Sequence, residues 1–225
     1  AIEGVATWTV NDINNPGRNS RMNDQQDISL FPLRVVLFPG GKLELQIFEQ
    51  RYIDLVSTCL KSNTGFGICL LKQGEEVTRP GTQQTIHRTG TYAKIVDWDL
   101  LENGLLGITV EGSAKFRIED CWEGSGSLLR ASVSFSAKDS VGNDTIPVDE
   151  KFTALADLLQ NLESHPLVEQ KNMTIDYNNL WDLGWRLSEL IPLDAESRQQ
   201  LLELDDPWER IESIEQLVAD MANEN

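Results

Sequence analysis

From residue 28 to residue 137 the chain mostly alternates apolar and polar positions with a period of two. The segments TYAKIVDW, LLGITV and LRASVSFSA follow this alternation, which is typical of half-buried strands. Glycine-containing turns separate the runs, and Glu102-Asn103-Gly104 predicts a tight hairpin. Apolar residues between positions 48 and 60 recur instead at helical spacing. We therefore expect residues 28–137 to form a closed or nearly closed β-barrel with one inserted helix.

After residue 147 the apolar positions recur at helical spacing. One stripe covers residues 152–162 and ends before Pro166, and a second covers residues 177–190. Asp194 can cap a third helix, and Asp206, followed by Pro207, can begin a fourth. These stripes predict a small helical bundle at residues 148–225, joined to the barrel by a polar linker at residues 138–147. The predicted fold class is α+β, with the barrel first and the bundle second.

Residues 1–27 precede the first predicted strand and are expected to be a leader or tail. Met22, followed by a polar run, is typical of a translational start, so we expect residues 1–21 to be an added or processed leader. The apolar residues of this segment are Ile2, Val5, Trp8 and Val10. We expect them to hold the tail along a sheet edge or groove, on this molecule or on a neighbouring one.

The charge of the chain limits its partners. The formal net charge is −17, and residues 147–225 alone contain 18 acidic and 5 basic residues. Contact with phosphate backbones draws its affinity from clustered lysine and arginine, so the composition argues against a nucleic acid ligand. We expect the acidic second half to be a solvated face, and docking of a basic partner is the alternative.

The cysteines and the hydropathy of the chain indicate the cellular compartment in which the protein is found. Cys59, Cys69 and Cys121 are irregularly spaced, which fits neither a disulfide framework nor a zinc site. No apolar run approaches the roughly 20 residues that span a bilayer, and the first residues do not resemble a signal peptide. We therefore predict a reduced, cytoplasmic protein without a membrane partner.

The sequence contains few residues that are candidates for catalysis, cofactor binding or metal binding. His87 and His165 are the two histidines, and neither belongs to a motif of a catalytic triad or a metal site. The glycine pair before Lys42 lacks both the earlier glycine and the following hydroxyl residue of a phosphate-binding loop. We predict no catalytic residue, no cofactor site and no metal site.

Four segments of the sequence match the motifs of one known family: ISLFPLRVVLFPGGKLELQIFEQRY, GTYAKIVDW, ITVEGSAKFRIED and RQQLLELDDPWERI. In this order they resemble the amino-terminal domain of Lon proteases, including the stand-alone bacterial proteins that carry that domain alone. The resemblance covers residues 28–223 and implies a PUA-like β-barrel followed by a helical bundle. It also implies that residues 39–41 turn the chain between strands at 35–38 and 42–47, with Lys42 pointing toward water. Because full-length Lon proteases carry their ATPase and Ser-Lys protease modules after this domain, the resemblance implies that the chain is not an enzyme.

The leading hypothesis is a non-catalytic module that binds unfolded or exposed apolar protein segments, with an adaptor role in protein quality control. An extended peptide would add to a free barrel edge, and its side chains would enter a cleft between barrel and bundle. The candidate surface residues are Phe38, Phe48, Tyr52, Trp98 and Trp122. Self-association is a further partner hypothesis.

Two alternatives stay open. The first is an RNA-binding PUA-like module, for which Arg88, Tyr92 and Lys94 in HRTGTYAK are the local feature in favour. The second is an enzyme that uses carboxylates in the cleft, which requires two carboxylates facing each other across a partly dry pocket.

Overall fold

The structure is a computed structural model, and it describes residues 25–74, 76, 84–140, 145–169 and 175–223. The placement predicted for Ile2, Val5, Trp8 and Val10 lies outside the described residues. The strands are β1 (Gln25–Leu33), β2 (Lys42–Ile47), β3 (Phe66–Gln73), β4 (Thr85–Leu100), β5 (Leu106–Glu123) and β6 (Leu129–Ser140). The α-helices are α1 (Gln50–Ser62), α2 (Thr153–Glu163), α3 (Pro166–Glu169), α4 (Leu180–Leu190), α5 (Ala195–Glu203) and α6 (Pro207–Asn223). Short 3-10 helices cover Ser125–Ser127 and Glu150–Phe152.

The strands form one sheet in the order β2-β5-β4-β3-β1-β6, and β5 pairs in addition with β6. Five of the strands therefore pair in a circle, with β2 outside it. β1 and β3 are parallel, and the other pairs are antiparallel. The 18-residue length of β5 makes this arrangement possible, because its first part pairs with β2 and its second part with β6.

The predicted hairpin between β4 and β5 is confirmed. Gly104 has a φ of 79°, in the left-handed region that glycine adopts readily, and its N–H donates to Leu101 O at 2.8 Å. The Asn103 side chain accepts from the N–H of Leu105 at 3.0 Å. The local turn chemistry is therefore sufficient to define this connection.

The predicted helices are present, with small shifts at their ends. Asp194 caps α5 by accepting from Ser197 N at 2.8 Å, and Asp206 caps α6 by accepting from Trp208 N at 2.8 Å. The helix predicted from residue 177 begins at Leu180, because the side chain of Asn179 takes the capping position.

The strand predicted at residues 35–38 is wrong, whereas the turn at residues 39–41 and the strand at residues 42–47 are confirmed, with Gly41 N–H donating to Phe38 O at 3.0 Å. β1 ends at Leu33, residues 34–41 form a loop, and β1 pairs with β3 and β6 instead of β2. The loop docks onto β5: Gly40 N–H donates to Gly112 O at 2.8 Å, and Gly112 N–H donates to Gly41 O at 2.9 Å. A Cβ on Gly112 would lie 2.4 Å from Phe38 O, so only glycine permits this approach. Lys42, predicted to point toward water, is partly buried.

The loop at residues 34–41 connects two separate cores. Leu37 belongs to the apolar cluster between α1 and the sheet, and its carbonyl accepts from Thr91 Oγ1 at 2.6 Å. The next residue, Phe38, belongs to the helical cluster, where its ring centroid lies 5.7 Å from that of Trp185. A third cluster lies within the sheet and is built around Phe116. Adjacent residues of one loop thus pack into different halves of the molecule.

Buried polar groups join the sheet to the helices. The Lys115 ammonium of β5 donates to Leu204 O at 2.9 Å and to Asp205 Oδ1 at 2.7 Å. The Gln199 amide of α5 donates to Thr89 O of β4 at 3.0 Å. These contacts occupy part of the junction where the sequence predicts an open cleft.

Candidate peptide-binding surface

Two of the five predicted surface residues are core residues. Phe38 and Tyr52 have exposed fractions of 1% and 3%. The Tyr52 ring stacks on Phe31 with their centroids 3.8 Å apart, and burial raises the pKa of Tyr52 to about 12. The Phe38 ring is enclosed, and the Tyr52 ring contributes only one side to a small cavity, so we remove both from the candidate surface. Their positions in apolar segments do not distinguish a buried aromatic side chain from an exposed one.

The other three predicted residues are exposed, and the structure does not bring them together. Trp98 belongs to β4 and lies opposite Ile108, near the start of β5. Trp122 belongs to β5 itself and lies near the end of that strand. Phe48 follows the last residue of β2, next to α1. The three side chains therefore mark three separate surfaces.

The surface at Trp98 lies on a stretch of β4 whose backbone is hydrogen-bonded to a neighbouring strand on one side only. Residues 94–100 pair with β5, and in the described part of the chain no strand pairs with their other side, because the pairing with β3 ends at Ala93. We call residues 94–100 the β4 edge. Three large apolar side chains are exposed on it: Val96 at 51%, Trp98 at 59% and Leu100 at 69%. Val96 and Leu100 are additions to the predicted surface, and the alternation of apolar residues with aspartates just before the hairpin is the sequence signal for them.

The two faces of the β4 edge differ in chemistry. Trp98 and Leu100 lie opposite Ile108 and Leu106, which belong to the apolar cluster beneath the sheet. Asp97 and Asp99 point to the other face, because successive side chains of a strand alternate. From Asp97 to Leu100 the edge is therefore apolar on one face and acidic on the other, and Lys94 shares the face of the aspartates at the far end of the edge.

The backbone of the β4 edge is partly occupied by its own side chains. Leu101 N–H donates to Leu105 O at 2.9 Å, and antiparallel pairing alternates, so the backbone groups of Trp98 and Leu100 point away from β5. The N–H of Trp98 donates to Asp97 Oδ1 at 2.9 Å, and the N–H of Leu100 donates to Asp99 Oδ1 at 2.7 Å. Charged residues on an edge strand are a common protection against unwanted pairing.

The surface at Trp122 is a polar groove. A cavity of about 580 Å³ lies between α1 and the β5–β6 connection, and Arg51, Leu55, Trp122 and Arg130 help to line it. Trp122 pairs with Arg130 across the two strands. The groove combines one aromatic ring with charges of both signs, since Asp27 and Asp54 also line it.

The surface at Phe48 is smaller. A cavity of about 180 Å³ is lined by Phe48, Tyr52 and neighbouring residues of β1 and β2. Although Tyr52 is in the core, one side of it closes this cavity. Its lining is mixed, because Glu44, Glu49 and Glu76 contribute to it beside the apolar residues.

The groove at Trp122 does not support carboxylate chemistry. Asp27 and Asp54 line the groove at Trp122, but both are exposed, which is the opposite of a dry pocket. His87 is buried, with Nε2 3.2 Å from Glu196 Oε2 and Nδ1 3.5 Å from Glu203 Oε1. It lies in the junction between β4 and α5 and lines neither of the two cavities described above. Among the described residues, no group of His, Cys, Asp and Glu is arranged to hold a metal ion.

The segment considered for RNA binding makes internal contacts. The Arg88 guanidinium donates to Ile118 O and to Glu119 O, both at 3.3 Å. Tyr92 Oη accepts from Gly65 N at 2.6 Å. Two of the three side chains in this segment are thus engaged within the protein. Within the same described ranges, no helix is both long enough and apolar enough to span a membrane.

Comparison with known families gives a match over most of the chain. The family model "ATP-dependent protease La (LON) substrate-binding domain" matches residues 27–220. A crystal structure of a Lon N-terminal domain protein from Xanthomonas campestris is 30% identical with a TM-score of 0.67, covering 86% of this chain and 98% of that one. The N-terminal domain of a Lon protease from the Mycobacterium avium complex, at 16% identity and a TM-score of 0.58, shares the fold over 87% of this chain and 99% of that one.

Curated relatives are longer proteins. A Lon protease from Cytophaga hutchinsonii is 28% identical over 218 residues, which are 90% of this chain and 26% of that protein. One from Bacillus thuringiensis is 25% identical over 213 residues, 91% of this chain and 26% of that protein. The chain therefore spans about a quarter of the length of these relatives.

Proposed function

Because the chain belongs to the ATP-dependent protease La (LON) substrate-binding domain family, we propose that it binds unfolded or exposed apolar segments of other proteins without chemically changing them. The family supports a substrate-binding role, and the relatives match this chain over about a quarter of their own length. A role as an adaptor in cytoplasmic protein quality control is the form of this function that we favour.

The exposed apolar β4 edge is the observation that carries this proposal. Val96, Trp98 and Leu100 fall within five residues and are each more than half exposed. Exposed large apolar groups that lie together mark interaction sites more often than scattered ones do. The adjacent free strand side offers backbone groups as well as side chains, so an extended peptide fits it better than a compact partner.

The proposed architecture follows the same family. We propose that the circle of five strands is a PUA-like β-barrel, that residues 28–137 and 148–225 are its two units, and that residues 138–147 link them. The Phe38 ring inserted into the helical cluster supports a firm attachment between these units.

The direct test is titration of the chain with an unfolded polypeptide, followed by fluorescence anisotropy. We expect the double variant Trp98→Ala/Leu100→Ala to bind at least about 30-fold more weakly, since a central aromatic anchor contributes about 2 kcal/mol or more. Trp122→Ala and Phe48→Ala are matched controls, because each removes an exposed aromatic ring from a different surface. Circular dichroism checks that all variants are folded.

Two results would contradict the proposal. Absence of binding by the wild type up to millimolar polypeptide would remove the peptide-binding function. A larger loss with Trp122→Ala than with the β4-edge variant would move the site to the groove between α1 and the β5–β6 connection.

The alternatives receive no support. The net charge of −17 opposes RNA binding, and Arg88 and Tyr92 are engaged internally. The carboxylates Asp27 and Asp54, which line the groove at Trp122, are exposed, so this groove does not support a carboxylate-based enzyme.

A further inference from the structure

We propose that the β4 edge selects segments that alternate apolar and basic residues, and that it binds them as an added strand. This inference rests on the proposed function and specifies its substrate class. The partner is a stretch of at most about seven residues, since residues 94–100 would extend over roughly 23 Å as a regular strand and the register shift between Ile95 and Asp97 shortens this span. The occupant is a foreign segment of this pattern, and the reasons follow from the two faces of the edge.

The side-chain pattern follows from the geometry of the edge. In an added strand, the residues opposite Trp98 and Leu100 share their face, and the intervening residues share the face of Asp97 and Asp99. Apolar side chains on the first face would cover the exposed indole ring and leucine. Basic side chains on the second face would meet two carboxylates. A segment that alternates apolar and basic residues satisfies both faces at once.

The backbone contacts explain why the basic residues matter. The carboxylates of Asp97 and Asp99 accept hydrogen bonds from the outward N–H groups of Trp98 and Leu100. An arriving strand needs those N–H groups for its own carbonyl oxygens. A lysine or arginine of the arriving segment can form an ion pair with each carboxylate. The ion pair draws the carboxylate away from the N–H of Trp98 or Leu100, and this N–H can then bond to the arriving strand. Segments without basic residues leave the N–H groups occupied.

The same charges disfavour a second copy of this chain as the occupant. Two β4 edges paired with each other would place the aspartates of both copies on neighbouring strands, and like charges across strands are destabilising. An acidic segment meets the same repulsion. A foreign segment with basic residues avoids it.

The test uses seven-residue peptides with blocked ends and the full chain, with affinity measured by anisotropy or calorimetry. One peptide alternates valine and lysine, one alternates valine and glutamate, and a third has the composition of the first with its valines in one block. We expect the alternating valine–lysine peptide to bind about tenfold more tightly than its block isomer, and the valine–glutamate peptide to bind least. The block isomer has the same charge as the first peptide, so general attraction to an acidic chain does not distinguish the two.

Variants of the edge sharpen the test. Asp97→Lys/Asp99→Lys should reverse the preference, with the valine–glutamate peptide favoured. Asp157→Lys/Glu215→Lys changes the net charge by the same amount at exposed positions of α2 and α6, and should leave the preference unchanged. Methylation of the backbone nitrogens on the bonding side of the peptide should abolish binding, because it removes the N–H groups that pair with the edge.

Each contrary outcome has its own meaning. Equal binding of the alternating peptide and its block isomer, or no effect of N-methylation, overturns strand addition, while binding of unfolded polypeptides would still support the proposed function. Self-association that is lost in Asp97→Lys/Asp99→Lys would make a second copy the occupant and overturn the inference. Absence of binding for every peptide and polypeptide removes the proposed function together with it.

Discussion

The sheet and the helices bury different kinds of groups. The two clusters of the sheet consist of apolar side chains, and its buried charged residue Lys115 faces the helices. The helical half instead encloses two arginines, Arg186 and Arg210, with exposed fractions of 1% and 0%. The first kind of core depends on close fit between strands. The second also depends on hydrogen bonds to buried cations, and a buried cation is stable only where such partners surround it.

Arg210 shows how the helical half accommodates a buried cation. Its guanidinium lies over the Trp185 ring, 3.4 Å from the centroid, and donates to Leu201 O and Leu204 O. The contacts to backbone carbonyls tie the start of α6 to the end of α5, and the aromatic ring adds a cation–π contact. Arg186 acts similarly on the loop at residues 34–41, because it donates to Pro39 O and pairs with Glu189.

The largest expected effect is therefore in the helical half. We expect Arg210→Ala to lower the free energy of unfolding by about 4 kcal/mol, because it removes the side-chain donor to Leu201 O and one of the two donors to Leu204 O, and because it opens a cavity against Trp185. Urea unfolding followed by tryptophan fluorescence measures this. Lys151→Ala is the control, since the ion pair of Lys151 with Glu212 is exposed and should be worth under about 1 kcal/mol. A loss below about 1 kcal/mol for Arg210→Ala would show that the two halves do not differ as described.

The sheet should be sensitive to added volume. A Cβ at Gly90 would lie 2.4 Å from Ile68 O and 2.7 Å from Phe116 Cζ, so Gly90→Ala forces β3 and β4 apart and should cost about 2 kcal/mol. Gly104→Ala is a useful comparison, because a Cβ there meets nothing within 4 Å and costs only the positive φ, about 1 kcal/mol. Thermal unfolding ranks the two. Equal losses would indicate that the strands separate easily at Gly90.

The junction between the halves should respond to acid. The hydrogen bond from Lys115 holds the pKa of Asp205 below its usual value, so this contact contributes stability above the ordinary aspartate pKa and loses it as the pH falls through the lowered one. Asp205→Asn should reduce stability by about 1 kcal/mol or less near neutral pH and converge with the wild type in acid. Unfolding measured across the pH range tests this. Asp157→Asn, a substitution at an exposed position on α2, is the control, and its free energy of unfolding should differ from that of the wild type by the same amount at each pH.

The smallest expected effect on stability is at the β4 edge. Trp98→Ala should change the free energy of unfolding by no more than about 0.5 kcal/mol, because most of its side chain is exposed. The same substitution should weaken peptide binding. A large loss of stability would instead make Trp98 part of the core and remove the main argument for a binding surface there.

Features that depend on neighbouring residues could be predicted from the sequence. Asp194 and Asp206 cap their helices through contacts two or three residues away, and Asn103 and Gly104 define their turn in the same way. The residues that cap, turn and begin each element are close together in the chain. Such contacts leave a readable pattern.

Features that depend on distant residues could not be predicted. The residue pattern of β1 does not indicate which strands it pairs with, and these are β3 and β6. The burial of Phe38 depends on its contact with Trp185, which lies far along the chain. The candidate site was predicted in part for the same reason. Trp98 was identified as a surface residue, but the free side of β4 follows from the point at which β3 stops pairing, which is a tertiary property.

The loop that sends Leu37 into one core and Phe38 into the other has a practical consequence for protein engineering. A helical fragment cut out at residue 148 would lack an aromatic ring from its interior, and a sheet fragment ending at residue 137 would carry that ring without its pocket. The helices are thus not a portable module. A chimaera that transplants them must bring residues 34–41 along, or must supply a substitute for one phenylalanine.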